Sequence, residues 1–118
     1  MKKFIAALSI VLSFSSMAAD YSCFGTEPFW GLKITESSIE FSSPIEDTVV
    51  TEAVESKTNA IGYADEFAFI VKSDKGSLAS ITTGECSDGM SDNVYPKHIT
   101  YVNDGNVFYG CCREIVKK

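Results

Sequence analysis

Two adjacent cysteines near the C-terminus, Cys111 and Cys112, constrain what this chain can fold into. Neighbouring residues on a β-strand point to opposite faces of the sheet, so these thiols would reach partners on opposite sides. Four cysteines allow three pairings. We favour the two pairings in which Cys23 and Cys86 each bond to one member of the adjacent pair. Each bridge would then close a long loop and contribute about 3–4 kcal/mol to stability.

The N-terminal stretch indicates that these cysteines reach an oxidising compartment. Lys2 and Lys3 precede an apolar run over residues 4–14, and small residues follow at 16–19. This is the three-part pattern of a secretory signal peptide. The run is too short to cross a bilayer, which needs about 20 residues. We therefore predict a signal peptide over residues 1–19, cleavage after Ala18 or Ala19, and a periplasmic or secreted protein in which cysteines form disulfides.

The charge of the predicted mature chain limits its partners. The full chain has 10 basic and 16 acidic residues, and removal of Lys2 and Lys3 leaves a formal charge near −8. Nucleic acid and anionic lipid surfaces both require a basic patch, so we predict neither as a partner, and no later segment is apolar enough to span a membrane. A cationic envelope protein or foreign protein would be attracted, although the charge alone favours the simpler interpretation that it maintains solubility.

Short β-type runs separated by turn signals, about ten residues apart, dominate residues 20–118. In residues 29–35, Trp30, Leu32 and Ile34 fall on one face of a strand. Asp104-Gly105 is a strong hairpin signal, and Gly76 stands where a turn needs positive φ. We predict a single all-β domain over residues 20–118, a small antiparallel β-barrel or sandwich of about seven or eight strands, stapled by disulfides.

Two segments carry more specific expectations. Residues 46–54 are rich in β-branched residues and predict a strand, with a helix over residues 52–57 as the alternative. Residues 66–73 place Phe67, Phe69 and Val71 on one side and Ala68 and Ile70 on the other. Because both faces are apolar, this pattern predicts a central strand.

The segment CSDGMSDNVYP at residues 86–96 offers the clearest candidate for chemistry. Asp88, Asp92 and Asn93, with Glu85 before them, supply oxygen ligands, but their spacing lacks the order of an EF-hand calcium loop. We interpret the segment as a stapled loop in which Asp88-Gly89 forms one turn and Asp92 and Asn93 bond the backbone of a second.

Other catalytic and metal signatures are missing from the sequence. His98 is the only histidine, and no zinc-ligand spacing surrounds it. Neither a Gly-x-Ser-x-Gly nor a Cys-x-x-Cys motif occurs. We therefore predict a protein without enzymatic activity, cofactor or metal. Two alternatives stay open: a metal-binding or redox protein that uses the Asp-rich loop and the cysteines, and an envelope structural protein without a discrete ligand.

Three segments together resemble a family of small exported bacterial proteins, mostly described as uncharacterised proteins, lipoproteins or membrane proteins. The segments are GTEPFW at residues 25–30, CSDGMSDNVYP at 86–96 and GC at 110–111, about a quarter of the mature chain. The resemblance implies a periplasmic β domain and brings no established activity. Its motif cysteines imply the pairs Cys86–Cys111 and Cys23–Cys112. Family members often carry arginine where this chain has Asn93.

At the level of fold, the chain is also similar to periplasmic inhibitors of c-type lysozyme, which are small β-barrels that bind a cationic enzyme. Those barrels carry a cysteine in the first strand, as in Tyr21-Ser22-Cys23 here, but this chain lacks their Ser-Gly-x-x-Tyr loop motif. We predict a monomeric, exported binding module of unknown ligand, with inhibition of a lysozyme-type hydrolase as one candidate role.

The predicted binding residues combine the loop with the start of the chain. Trp30 is also a candidate core residue, and a core position is the favoured interpretation. Alanine at Asp88 and Asp92 is expected to abolish partner capture without unfolding the domain. The predicted set is Glu27, Trp30, Asp88, Met90, Asp92 and Tyr95.

Overall fold

A computed structural model describes residues 19–26, 28–43 and 47–115 of the chain, and these ranges form eight antiparallel strands. Each strand pairs with the next, and β1 also pairs with β8, so the sheet closes into an up-and-down barrel. The predicted all-β class is confirmed. This part of the chain contains no helix that could cross a membrane. The strands are β1 (Asp20–Thr26), β2 (Phe29–Ile34), β3 (Ser38–Ser43), β4 (Thr48–Asn59), β5 (Ala68–Ser73), β6 (Leu78–Ser87), β7 (Val94–Asn103) and β8 (Asn106–Ile115).

Closure of the sheet gives every strand one inward and one outward face, which alternate along the chain. On β2 the predicted face is confirmed, because Trp30, Leu32 and Ile34 are buried while Lys33 is exposed. Inward side chains from the other strands complete a packed core. The buried cluster comprises Tyr21, Cys23, Trp30, Leu32, Ile34, Ile39, Phe69, Val71, Ala79, Ile81, Ile99, Tyr101 and Cys112.

The two segments with specific expectations have different outcomes. Residues 52–57 are part of the continuous strand β4, so the helical alternative is wrong. On β5 the prediction of two buried faces is also wrong, because Ile70 is 41% exposed on the outer surface and Phe67 precedes the strand. In a closed barrel every strand has two neighbours, so an apolar outer face carries no information about strand order.

Both turn predictions are confirmed. Asp104 and Gly105 have φ angles of 50° and 83° and form the two-residue loop between the paired residues Asn103 and Asn106. Positive φ at both central positions gives a hairpin turn whose twist matches that of the flanking strands. Gly76 has a φ of 94° between β5 and β6.

A β-bulge at Glu55 changes which residues of β4 point inward. The pairing of β4 with β5 skips this position. Before the bulge, Glu52 and Val54 lie on the inner face, and Val54 packs against the core. After the bulge, Lys57 lies on that face, opposite the buried residue Val71. Glu52 and Lys57 therefore both point into the barrel, although strict alternation over five residues would place them on opposite faces.

Two disulfides fasten the two faces of β8. The inner disulfide joins Cys112 to Cys23, its direct neighbour on β1, and the outer disulfide joins Cys111 to Cys86 on β6. This is the pairing that the family resemblance implies, and the adjacent cysteines point to opposite faces as residues on a strand do. Their sequence separations of 89 and 25 residues correspond to about 4.6 and about 3.5 kcal/mol of stabilisation in the chain-entropy model.

The seam between β1 and β8 is packed around Trp30. A side chain at Gly25 would overlap the indole nitrogen, and one at Gly110 would overlap the backbone oxygen of Phe24. The same added atom at Gly110 would lie 3.1 Å from Cζ2 of Trp30. Because both inward positions lack a side chain, the indole can lie across the two strands where the barrel closes.

Gly110→Ala should therefore be strongly destabilising, since its methyl group would meet a backbone oxygen that cannot rotate away. We expect a loss of about 3 kcal/mol in the free energy of unfolding, measured by urea unfolding. Gly84→Ala is the matched control, because its methyl group would meet only the His98 ring at 3.4 Å, an ordinary contact. Equal unfolding midpoints for the two variants would contradict this account of the seam.

A polar cluster lies at the end of the barrel where residues 60–67 connect β4 to β5, which we call the closed end. Lys97 is 9% exposed and donates to the backbone oxygen of Glu66 at 2.6 Å and to Oγ1 of Thr83 at 2.7 Å. The Glu66 carboxylate accepts hydrogen bonds from Nζ of Lys57 at 2.7 and 2.9 Å and from the Tyr21 hydroxyl at 2.5 Å. The cluster thus ties the connection to three strands.

Burial and hydrogen bonding act in opposite directions on this cluster. Burial alone would raise the pKa of Glu66, but hydrogen bonds from Lys57 and Tyr21, together with the positive charges of Lys57 and Lys97, hold it below the usual 4.5. For Tyr21, burial and then the hydrogen bond to Glu66 raise the pKa well above its ordinary range. The cluster therefore keeps an ionised glutamate and a protonated tyrosine at neutral pH.

A folded-state pKa below the unfolded value means that the contribution of Glu66 is complete above about pH 4.5 and is lost as the pH falls through the folded value. Glu66→Gln should lower the urea midpoint at pH 7 and flatten its decline between pH 4.5 and 2.5. Asp65→Asn, at an exposed neighbouring position, should retain the wild-type profile. An unchanged acid profile in Glu66→Gln would show that other groups govern acid unfolding.

Candidate ligand site at the barrel mouth

The predicted binding residues fall on different faces of the barrel wall. Trp30 is 4% exposed and belongs to the core, which confirms the interpretation favoured from the sequence. Glu27 lies outside the described residues. The structure therefore does not unite Trp30 with the loop residues in one exposed surface. The remaining four are all in the loop outside the barrel: Asp88, Met90, Asp92 and Tyr95.

The loop at residues 86–96 folds across the outside of β8 and β1. The outer disulfide anchors its start, and Oγ1 of Thr26 donates to the backbone oxygen of Asp88 at 3.1 Å. Tyr95 packs edge-on against Phe24, with ring centroids 4.9 Å apart. The register between β6 and β7 shifts opposite Pro96, which has no N–H to donate to the ladder. The loop is thus a docked element, as the stapled-loop interpretation requires.

Asp88 organises this loop. Its Oδ1 accepts hydrogen bonds from the backbone N–H groups of Met90 and Ser91, both at 2.9 Å, and these bonds hold its pKa below the usual 3.8. The second turn is made differently from the prediction, because the Ser91 hydroxyl accepts from the Asn93 N–H at 3.2 Å. Met90 and Asp92 are exposed. The Asp88 carboxylate is therefore engaged with its own backbone.

A separate cavity of about 340 Å³ opens at the end of the barrel that carries the β1–β2, β3–β4 and β7–β8 connections. We call it the mouth cavity. Its volume lies in the range of small-ligand sites, and eight-stranded barrels have room for one small ligand. Its lining combines aromatic rings with carboxylate, amide and hydroxyl groups: Pro28, Phe29, Trp30, Phe41, Ser43, Thr48, Val50, Glu52, Asn103, Asp104, Asn106 and Phe108.

Three inward aromatic rings form one wall of the mouth cavity. The ring centroids of Trp30 and Phe41 are 6.1 Å apart, and Phe108 lies 5.6 Å from Trp30 and 5.2 Å from Phe41. Tyr101 supports the wall at 5.6 Å from Phe41, and its hydroxyl accepts a hydrogen bond from Asn103 at 3.1 Å. Because each ring contacts the others, the three rings form one packed surface.

Glu52 adds a carboxylate to this lining. It lies on the inner face of β4 opposite the buried residue Ile39. Its Oε1 atom is buried and has no hydrogen-bond partner among the described residues. Such an oxygen is unusual, because an unpaired buried polar group costs about 1–3 kcal/mol, and more when charged. Asp104 adds a second carboxylate, and the described residues that line the cavity include no lysine or arginine.

The other candidate groups do not form a comparable site. His98 Nδ1 lies 2.5 Å from the Tyr109 hydroxyl on the outer surface, away from the mouth cavity. Within the described ranges, no three His, Cys, Asp or Glu side chains come together in a group that could hold a metal ion. The four cysteines are all bonded in disulfides.

Among the residues that line the mouth cavity, only Trp30 belongs to the binding set predicted from the sequence. The missed signal is in β4, where Glu52 occupies the same alternating set as Val50 and Val54. A carboxylate at an apolar alternate position of a strand is a polar group directed inward. Phe41 and Phe108 carry no such signal, since core aromatic residues occur in every small β domain.

No family model, curated protein or solved structure matches the chain. The family resemblance therefore remains a prediction. The three segments that carry it nevertheless meet in space, because Gly25 and Gly110 flank Trp30 and the outer disulfide joins the loop to β8.

Asp88→Ala should loosen the loop without unfolding the barrel. We expect faster amide hydrogen exchange at Met90 and Ser91, because both N–H groups lose their acceptor, and an NMR comparison with wild type measures it. In the wild type the same loosening should appear only below about pH 3.8, as the carboxylate is protonated. Asp92→Ala serves as the control and should leave both amides protected. Equal amide exchange rates at Met90 and Ser91 in the two variants would show that Asp88 does not hold the loop in place.

Proposed function

We propose that this chain is an exported, non-enzymatic binding module whose ligand enters the mouth cavity. The observation that carries the proposal is an aromatic-lined cavity whose wall includes Glu52, a carboxylate with one oxygen that is buried and has no hydrogen-bond partner among the described residues. A preformed apolar wall with a few convergent polar groups is the usual composition of a ligand site. Either a free small molecule or a side chain projecting from a partner protein would fill the same space.

The mouth cavity supports binding better than the loop does. The loop's central carboxylate already accepts two backbone hydrogen bonds and one from the Ser91 hydroxyl. Its remaining charge, on Asp92, is on the exposed surface, where ion pairs contribute little. We therefore assign the loop of residues 86–96 a structural role, in bracing β8 and β1 from outside.

Export of the module is supported by the signal-peptide pattern and by the two disulfides. Their pairing leaves no free thiol among the described cysteines, as suits an oxidising compartment. A scaffold closed by two covalent links would preserve the cavity outside the cell. A cationic protein partner fits the acidic charge of the chain.

Trp30 is the only tryptophan of the chain and lies in the cavity wall, so its fluorescence reports occupancy directly. We would titrate three probes of similar shape, 2-phenylethylguanidinium, 2-phenylethylurea and 3-phenylpropanoate, and expect at least one to bind with a Kd of order 1 mM or tighter. Val50→Phe, at a lining position, should abolish that binding by filling the cavity.

Val49→Phe is the matched control for that titration. Val49 is the preceding residue on β4 and is 63% exposed on the outer face, so the same added volume stays outside the cavity. Binding should survive in this variant. If all three probes fail to bind the wild type, or if Val50→Phe and Val49→Phe bind equally well, the mouth cavity is not the ligand site.

A further inference from the structure

We infer that the mouth cavity takes an organic cation, an alkylammonium or guanidinium group, with Glu52 as its counter-charge. The inference rests on the proposed function, because it names the class of ligand for the same cavity. Two sources share this chemistry: the side chain of a lysine or arginine on a partner protein, and a free small amine. The charge of the cavity and its aromatic wall both favour this class of ligand.

The Glu52 carboxylate lines the cavity with unused acceptor capacity. Its Oε1 atom is buried, and no described residue donates a hydrogen bond to it. An ammonium or guanidinium group supplies both N–H donors and a positive charge, and charge-assisted bonds are about twice as strong as neutral ones. An anionic ligand would instead place like charges together in a partly desolvated space.

The aromatic wall favours the same class of ligand. Cations are attracted to the faces of tryptophan, tyrosine and phenylalanine within about 6 Å of the ring centroid. Trp30, Phe41 and Phe108 line the cavity together with the carboxylate of Glu52. The protein already uses this contact elsewhere, because Nζ of Lys57 lies 4.6 Å from the centroid of the Phe69 ring. Among the described residues, no group of three His, Cys, Asp or Glu side chains lies at the cavity, which disfavours a bare metal ion as its ligand.

The distribution of charge inside the barrel supports the assignment. At the closed end, Nζ of Lys57 forms an ion pair with the Glu66 carboxylate. Nζ of Lys97 donates to the backbone oxygen of Glu66 and to Oγ1 of Thr83, so that each of these charged groups has a partner within the protein. At the mouth, no lysine or arginine stands beside Glu52 and Asp104 among the described lining residues. A cationic ligand would bring the positive charge that these lining residues lack.

The test compares the three probes named above in wild type, Glu52→Gln and Glu55→Gln. We expect wild type to bind 2-phenylethylguanidinium at least roughly tenfold more tightly than the isosteric urea, as the loss of one cation–π or charge-assisted contact implies. 3-Phenylpropanoate should bind most weakly. Glu52→Gln should reduce the preference for the cation to less than about threefold, whereas Glu55→Gln, an exposed change three residues away, should preserve it.

The outcomes separate this inference from the proposed function. Equal affinity for guanidinium and urea, with binding still blocked by Val50→Phe, would keep the cavity as a ligand site and overturn the cation assignment. A cation preference that survives in Glu52→Gln would also overturn it, because another group would then hold the charge. If none of the three probes binds the wild type, both the cation assignment and the proposed ligand site are wrong.

A second arm distinguishes the two sources of the cation. A blocked Gly-Arg-Gly peptide and its citrulline counterpart differ only in guanidinium against urea, and n-butylguanidinium supplies the free ion. Preference for the arginine peptide over both the citrulline peptide and the free ion points to a protein side chain. Preference for the free ion points to a small amine. Urea unfolding of Glu52→Gln, expected at or above the wild-type midpoint, verifies that the variant is folded.

Discussion

The rest of the structure depends on the packing of Trp30 against two glycines, Gly25 on β1 and Gly110 on β8. Gly25 and Gly110 leave room for the indole where β1 meets β8, and the inner disulfide links the same two strands. Without that seam the sheet would have two free edges, which are templates for aggregation. With it, the sheet gains an interior, and the interior contains both the core and the mouth cavity.

Polar groups inside the barrel differ in their hydrogen bonding between its two ends. The closed end contains two lysines, a glutamate and a tyrosine, and they satisfy one another through short hydrogen bonds. The mouth contains a glutamate with an oxygen that no described residue satisfies. A small domain has little stability to spare, so an internal defect of this kind is more readily understood as part of a binding site than as part of the scaffold.

The sequence predicted the fold well because its strongest signals are local. Alternation on β2 and the Asp104-Gly105 turn depend only on neighbouring residues, and both are confirmed. The site was predicted poorly because it depends on long-range geometry. Whether Glu52 points inward depends on pairing with β3, and the position of residues 86–96 on the outer wall depends on contacts with β1 and β8. Ile70 was misassigned for a related reason, since alternation cannot distinguish a barrel exterior from a second buried face.

The bulge at Glu55 has a consequence for how the protein can vary. One strand, β4, contributes Glu52 to the mouth and Lys57 to the closed end. Because the bulge adds one residue between them, the inward and outward positions of the two halves do not follow a single alternating pattern. Substitutions at the mouth therefore leave the ion pair at the other end undisturbed, and effects at such separated positions tend to add. The residues that line the mouth can therefore change while the hydrogen-bonded cluster that anchors the β4–β5 connection at the closed end is inherited intact.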